Sequence, residues 1–174
     1  MTNLSAVAQK FILHWGEMGS RWGVTRAVAQ IQALLYLSEK PLTADEICES
    51  LGLARSSVSA GLRELQGWNL VKNVHLPGDR RDHFETKTDV FDLFHTIAAE
   101  RKKREIDPAI QMLHDCQAEA EKRGAASAVE TERLAAMLEF FELGASLYDQ
   151  ARKLPPKALR RAAKLGDKIL TLFS

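Results

Sequence analysis

Cysteine is scarce in this 174-residue chain. The two present, Cys48 and Cys116, lie far apart, with no second cysteine or histidine at metal-ligand spacing. That leaves no disulfide framework and no zinc motif, and both are expected to be core thiols. Long apolar runs are also lacking. Nothing approaches the roughly 20 consecutive apolar residues of a membrane span, and the first residues show no basic stretch leading into an apolar run and a cleavage site. The expectation is a cytoplasmic protein with no membrane partner. The ten glycines build neither a phosphate-cradling loop nor a nucleophile elbow, and the five histidines form no ligand-like cluster in sequence. Neither an enzyme nor a cofactor is therefore expected. Internal repeats and low-complexity linkers are absent as well.

What is present is a chain that is 45% hydrophobic, enough for one sizeable core or for a small domain with helices that need a partner. The net charge is only +1, but it is unevenly spread. Residues 52–104 carry 10 basic against 7 acidic side chains, residues 105–150 carry 3 against 10, and residues 151–174 carry 7 against 1. A near-neutral chain of this kind can still present a basic face to phosphates.

Periodicity predicts helix nearly everywhere. Phe11, Trp15, Met18 and Trp22 recur at helical spacing and form an aromatic stripe. The stripe reads either as core or subunit interface or as a cage for a cationic ligand. A second helix carries Val28, Ile31, Leu34, Leu35 and Leu37 inward and stops before Pro41. Thr43 followed by Glu46 is a capping box, with Leu42 and Ile47 placed as a hydrophobic staple, so a helix starts there and ends at Gly52. A third helix follows within a residue or two of Leu53. Its Val58, Leu62 and Leu65 face a core, which leaves Ser56, Ser59, Ala60 and Arg63 on the outside. Such a small, hydroxylated and basic face can enter a groove about 12 Å wide and reach phosphates and base edges.

From Leu70 the pattern turns β-like: LVKNVHL, the turn residues Pro77, Gly78 and Asp79, then RRDHFET. That is a hairpin with Arg80 and Arg81 at or just past its tip. Beyond Thr88 helix returns, with Val90, Phe94 and Ile97 on one face and Arg101 to Arg104 at its C-terminal end. Asp107-Pro108 predicts a helix restart that runs to about Gly124, and Ser127 with Glu130 is a second capping box. Pro155 and Pro156 set off a last amphipathic helix with Leu159, Ala162, Ala163, Ile169 and Leu170 inward. The fold class expected is mainly α with a small β-hairpin wing. Residues 1–23 and 88–174 would be dimerisation helices flanking a winged helix-turn-helix at 24–87, because long helices outside a small core need a second chain to cover them.

PLTADEI, SSVS-x-x-LREL and P-G-D-R-R in this order resemble the GbsR branch of the MarR-like winged-helix transcriptional regulators. The likeness runs from about Gly16-Glu17 to Phe94. It implies a homodimeric regulator, expected here to be a repressor, that sets two recognition helices in successive major grooves of double-stranded DNA. By matching position, Arg55, Ser56, Ser57, Ser59 and Arg63 belong to the recognition helix and Arg80 and Arg81 to the wing, and Asp79 with Arg81 resembles a D-x-R wing pair. Lys72 joins Arg55, Arg80 and Arg81 as an expected phosphate contact, while Ser56, Ser59 and Arg63 read bases. One departure is Ala54 where an N-capping residue is usual, for which Ser56 or Ser57 would compensate or the helix would start later. The resemblance also suggests a small-molecule effector of the osmoprotectant or choline type, with Trp15, Trp22 and Phe91 as its candidate lining. Two other readings stay open: a winged-helix protein-interaction adaptor without DNA binding, and, for the basic segment Lys157 to Lys168, an anionic membrane surface or a solvated dimer flank.

Overall fold

A computed structural model describes residues 4–122, 126–155 and 158. The chain divides into two compact units, Met1–Ile97 and Ala98–Ser174. In chain order the elements are α1 (Ala6–Arg21), α2 (Arg26–Leu37), β1 (Leu42–Thr43), α3 (Ala44–Leu51), α4 (Arg55–Gly67), β2 (Val71–Val74), β3 (His83–Thr86) and α5 (Val90–Arg101). A π-helical segment (Lys102–Ile106), α6 (Asp107–Ala120) and α7 (Ala128–Ala151) follow. The mainly helical class with a small antiparallel wing is as expected.

In the first unit α2 is the central element. Every residue from Val28 to Leu35 is buried, polar Gln30 and Gln32 included, because α1, α4 and β3 all pack on it. Leu37 was expected inward but is 43% exposed, since the helix ends there, clear of its neighbours. The buried face of α1 is Ile12, Gly16 and Gly19, turned from the aromatic stripe by about 100°. Its glycines let the helices approach: a Cβ at Gly19 would stand 2.3 Å from the Cβ of Ala29. Phe11 and Trp15 are left half-buried against the core, and Trp22 is exposed.

The sheet has the order β1-β3-β2, antiparallel throughout. β1 was not foreseen in sequence. Leu42 pairs with Phe84 and Thr43 with His83, so Thr43 ends a strand and caps a helix at once. On α5 the inward residues are Leu93 and Ile97, four apart. Val90 and Phe94, expected on that face, are exposed, although the Phe94 ring meets the edge of Trp15 at 6.4 Å.

The second unit corrects another expectation. Asp107 does not restart a helix after a break, because its N–H bonds to the carbonyl of Lys102 and the path stays helical. An α-turn would press the ring of Pro108 against the carbonyl four residues back, and widening to a π turn relieves that clash. The basic cluster accordingly lies inside a continuous helical path and not at a helix end. Its side chains pair with carboxylates: Arg101 with Glu105 at 3.3 Å, Lys102 with Asp107 at 2.7 Å and Arg104 with Glu100 at 3.4 Å. α6 stops at Ala120, and Gly124 and the helix expected over residues 159–170 lie outside the described residues. α7 opens on the expected Ser127–Glu130 capping box. Only Leu113 and Leu138 are buried in α6 and α7, while Met112, Met137, Phe140, Leu143 and Leu147 are exposed. Among the described residues no helix is long and apolar enough to cross a membrane.

Candidate nucleic-acid interface

The first helix of the motif is fixed at both ends by local chemistry. Thr43 Oγ1 accepts from the Glu46 N–H at 3.2 Å, and Glu46 Oε2 accepts from the Thr43 N–H at 2.7 Å. The Thr43 N–H is the main cause holding the Glu46 carboxyl below the usual range for glutamate. At the other end Gly52 takes the left-handed conformation, φ 66°, and its N–H closes on the carbonyl of Cys48 at 2.8 Å. Here a side chain would be strained, and glycine is not. Cys48 and Cys116 are unpaired and half-buried, less enclosed than core thiols.

α4 begins at Arg55 without a side-chain cap at Ala54, so neither Ser56 nor Ser57 supplies the missing bond. Its first N–H groups stay open at the positive end of the helix dipole. Val58, Leu62 and Leu65 are buried, and Gly61 sits against Ile31 of α2. Arg55, Ser56, Ser57, Ala60 and Arg63 are exposed, with Ser59 half-buried. Arg63 Nη1 donates to Ser59 Oγ at 3.3 Å, and Arg55 pairs with Asp45 on α3.

The wing turns at Leu76–Asp79, where the Asp79 N–H donates to the Leu76 carbonyl at 3.1 Å and Gly78 has φ 82°. Proline then glycine at the two central positions is the composition of a type II turn. Asp79 grips Arg81 with both oxygens, at 3.0 Å from Nε and 2.6 Å from Nη2, and takes the Arg81 N–H at 2.9 Å. These bonds hold its carboxyl far below the usual range. Arg80 is exposed and makes no ion pair among the described residues. Lys72 is bonded across the strands to Glu85 at 2.8 Å.

The tertiary fold brings part of the expected set together. Arg55, Ser59, Arg80 and Arg81 line one cleft of about 390 Å³ between α3, α4 and the wing, joined by Gln66, which sequence reasoning missed. Ser56, Ser57 and Arg63 continue the open face of α4 beyond the cleft, while Lys72 borders a separate one of about 410 Å³. In sequence Gln66 was marked only as a polar residue three positions after Arg63, on the same helical face, a signal many solvent-facing residues share. Of the three proposed effector residues, Trp15 stacks on Phe11 at 5.5 Å, meets Trp22 edge-on at 5.7 Å and donates from Nε1 to Gln32 at 2.9 Å. From α5 the ring that meets Trp15 is Phe94, and Phe91 is half-buried. No metal-ligating group of three or more His, Cys, Asp or Glu side chains occurs among the described residues.

Known proteins of three kinds resemble this chain. Residues 22–82 match the MarR family. The HTH-type transcriptional repressor GbsR of Bacillus subtilis (strain 168) is 29% identical over 101 residues, 58% of this chain and 56% of that protein. The putative HTH-type transcriptional regulator YvaV of the same organism is 26% identical over 97 residues, 56% and 55% respectively. The chain thus spans about half the length of the curated relatives it matches. The crystal structure of a transcriptional regulator shares the fold, with a TM-score of 0.64 and 18% identity over 91% of this chain and 99% of that one. With its capped first helix, glycine turn, open second helix and arginine-tipped hairpin, the segment that matches the MarR family at residues 22–82 has the form of a winged helix-turn-helix.

Proposed function

We propose that this chain is a homodimeric, sequence-specific double-stranded DNA-binding transcriptional regulator of the GbsR type, acting as a repressor under the control of a small-molecule effector. The observation that carries the reading is the cleft that gathers Arg55, Arg80 and Arg81 beside the open, hydroxylated face of α4. Guanidinium groups supply phosphate affinity, and the small side chains of α4 let the helix lie deep in a major groove. Dimerisation is supported by the exposed Met137, Phe140, Leu143 and Leu147 of α7, which a second chain would cover. Two-fold pairing then predicts a pseudo-palindromic operator with half-sites about one helical turn apart. Repression and the GbsR assignment draw on the likeness to a repressor of that name. The effector site is proposed around Trp15, Trp22 and Phe91, and calorimetry with choline and glycine betaine tests it.

Binding-site selection with the purified chain on random duplex DNA, followed by anisotropy at several salt concentrations, tests the central claim. A palindromic consensus bound with steep salt dependence is expected. A chain that ignores duplex DNA even at low ionic strength would refute it and leave the adaptor reading.

A further inference from the structure

We propose that His83 is a positioning residue for the wing: by taking up a second proton its imidazole holds Asp79, and through Asp79 the Arg81 guanidinium, so that duplex binding strengthens as pH falls. The inference rests on the DNA-binding reading above and names a regulation of that same site.

His83 opens the central strand β3, paired with Thr43 on one side and Val74 on the other, and it is 4% exposed. Its Nδ1 lies 2.9 Å from the carbonyl oxygen of Arg81, and its Nε2 lies 3.5 Å from Asp79 Oδ2. Both partners are acceptors only. A neutral imidazole has one N–H, so one nitrogen turns a lone pair toward oxygen, whereas a protonated ring donates at both. The oxygen at stake, Asp79 Oδ2, is the one that takes Arg81 Nη2 at 2.6 Å. His83 therefore acts on the wing arginine through a single carboxylate, from inside the sheet.

Asp79 is the charged side chain that touches the ring, at 3.5 Å. Asp79 stays ionised because Arg81, foremost, and His83 hold its carboxyl far below the usual range. From α3, Glu46 is felt at Arg81, and its own carboxyl is likewise lowered. Lys40 stands 3.7 Å from Glu46. The partners on β1 and β2, Thr43 and Val74, carry no charge. α2, which packs on β3, has no charged residue after Arg26. His75 is exposed at the root of the wing loop and is the imidazole to control for.

The test is anisotropy of the full chain on its selected duplex from pH 8 to pH 6 at constant ionic strength, the interval in which imidazoles exchange charge. Wild-type binding is expected to tighten by roughly threefold to tenfold, within the limit of tenfold per pH unit for each proton taken up. In His83→Gln the amide donates to one acceptor at every pH, so binding persists and the profile flattens. His75→Gln keeps the wild-type profile. Nitrogen NMR of wild type at pH 6 should show both His83 ring nitrogens protonated in the complex. A wild-type profile in His83→Gln, its loss in His75→Gln, or a singly protonated His83 at pH 6 would each overturn the inference while leaving DNA binding intact. No duplex binding at any pH would overturn the DNA-binding reading and this inference with it.

Discussion

Replacing Gly61 by alanine should destabilise the protein although alanine is the better helix former. A Cβ at this position would lie 2.7 Å from Ile31 Cδ1 and 3.6 Å from Val28 Cγ2. Ile31 is 0% exposed, so its terminal methyl has to shift within the core to make room. Helix preference contributes about 0.5–1 kcal/mol in favour of alanine, whereas forcing an extra carbon into a filled core costs about 1–3 kcal/mol. The net expectation is a loss of about 1 kcal/mol. Gly67, in the same helix, has nothing within 4 Å of its would-be Cβ. There propensity acts alone, and Gly67→Ala should gain up to about 0.5 kcal/mol. Gly19→Ala should cost more than Gly61→Ala, because the atom it meets at 2.3 Å is the Cβ of Ala29, fixed to the backbone of α2. Urea unfolding followed by circular dichroism ranks the three, provided the slopes agree. A Gly61→Ala protein as stable as Gly67→Ala would refute the claim that α4 is seated by close approach of its backbone to α2.

Other expectations follow from the same contacts. Thr43→Ala should lose about 1 kcal/mol by removing the helix cap, read from the same melts. Because folding lowers the Glu46 pKa, its contribution is present above the ordinary glutamate value and is lost as pH falls through the folded one. The stability gap between wild type and Glu46→Gln should therefore shrink below about pH 4.3. Arg80→Ala should weaken binding to all duplexes alike and reduce the salt slope by about 1 for each subunit; an unchanged slope would remove Arg80 from phosphate contact. Arg63→Ala should instead relax discrimination at one base position per half-site by about 1–3 kcal/mol, checked by repeating the site selection. Phe140→Glu with Leu147→Glu should shift sedimentation from dimer to monomer, and a dimer that survives would place the subunit interface elsewhere.

Legibility followed the range of the signal. The two capping boxes were visible because a spacing of three carries the whole geometry, and the Gly52 turn because one residue type suits it. β1 was invisible: two residues have no period, and Thr43 already had an explanation as a cap. The α1 face was read only in part: Phe11 and Trp15 do pack against the core, but glycine leaves no mark in an apolar pattern, and Gly16 and Gly19 are where the helices touch. The π turn depends on a bond over five residues that a proline four-residue clash provokes, which no window of apolar spacing detects. For the site, the residue types of α4 and the wing were readable, but their convergence was not. The pairing of Lys72 with Glu85 needs the strand register, and the meeting of Arg55 with Arg80, Arg81 and Gln66 needs the tertiary fold.

The short first strand also has a mechanical consequence. Thr43 is laddered to the root of the hairpin on one side and starts α3 on the other, so the hairpin and the helix pair form one stiff frame. A push on one should be transmitted to the other through two residues of backbone, with no hinge between. Amide exchange in β3 should accordingly slow and quicken in step with that of α3, as parts of one cooperative unit.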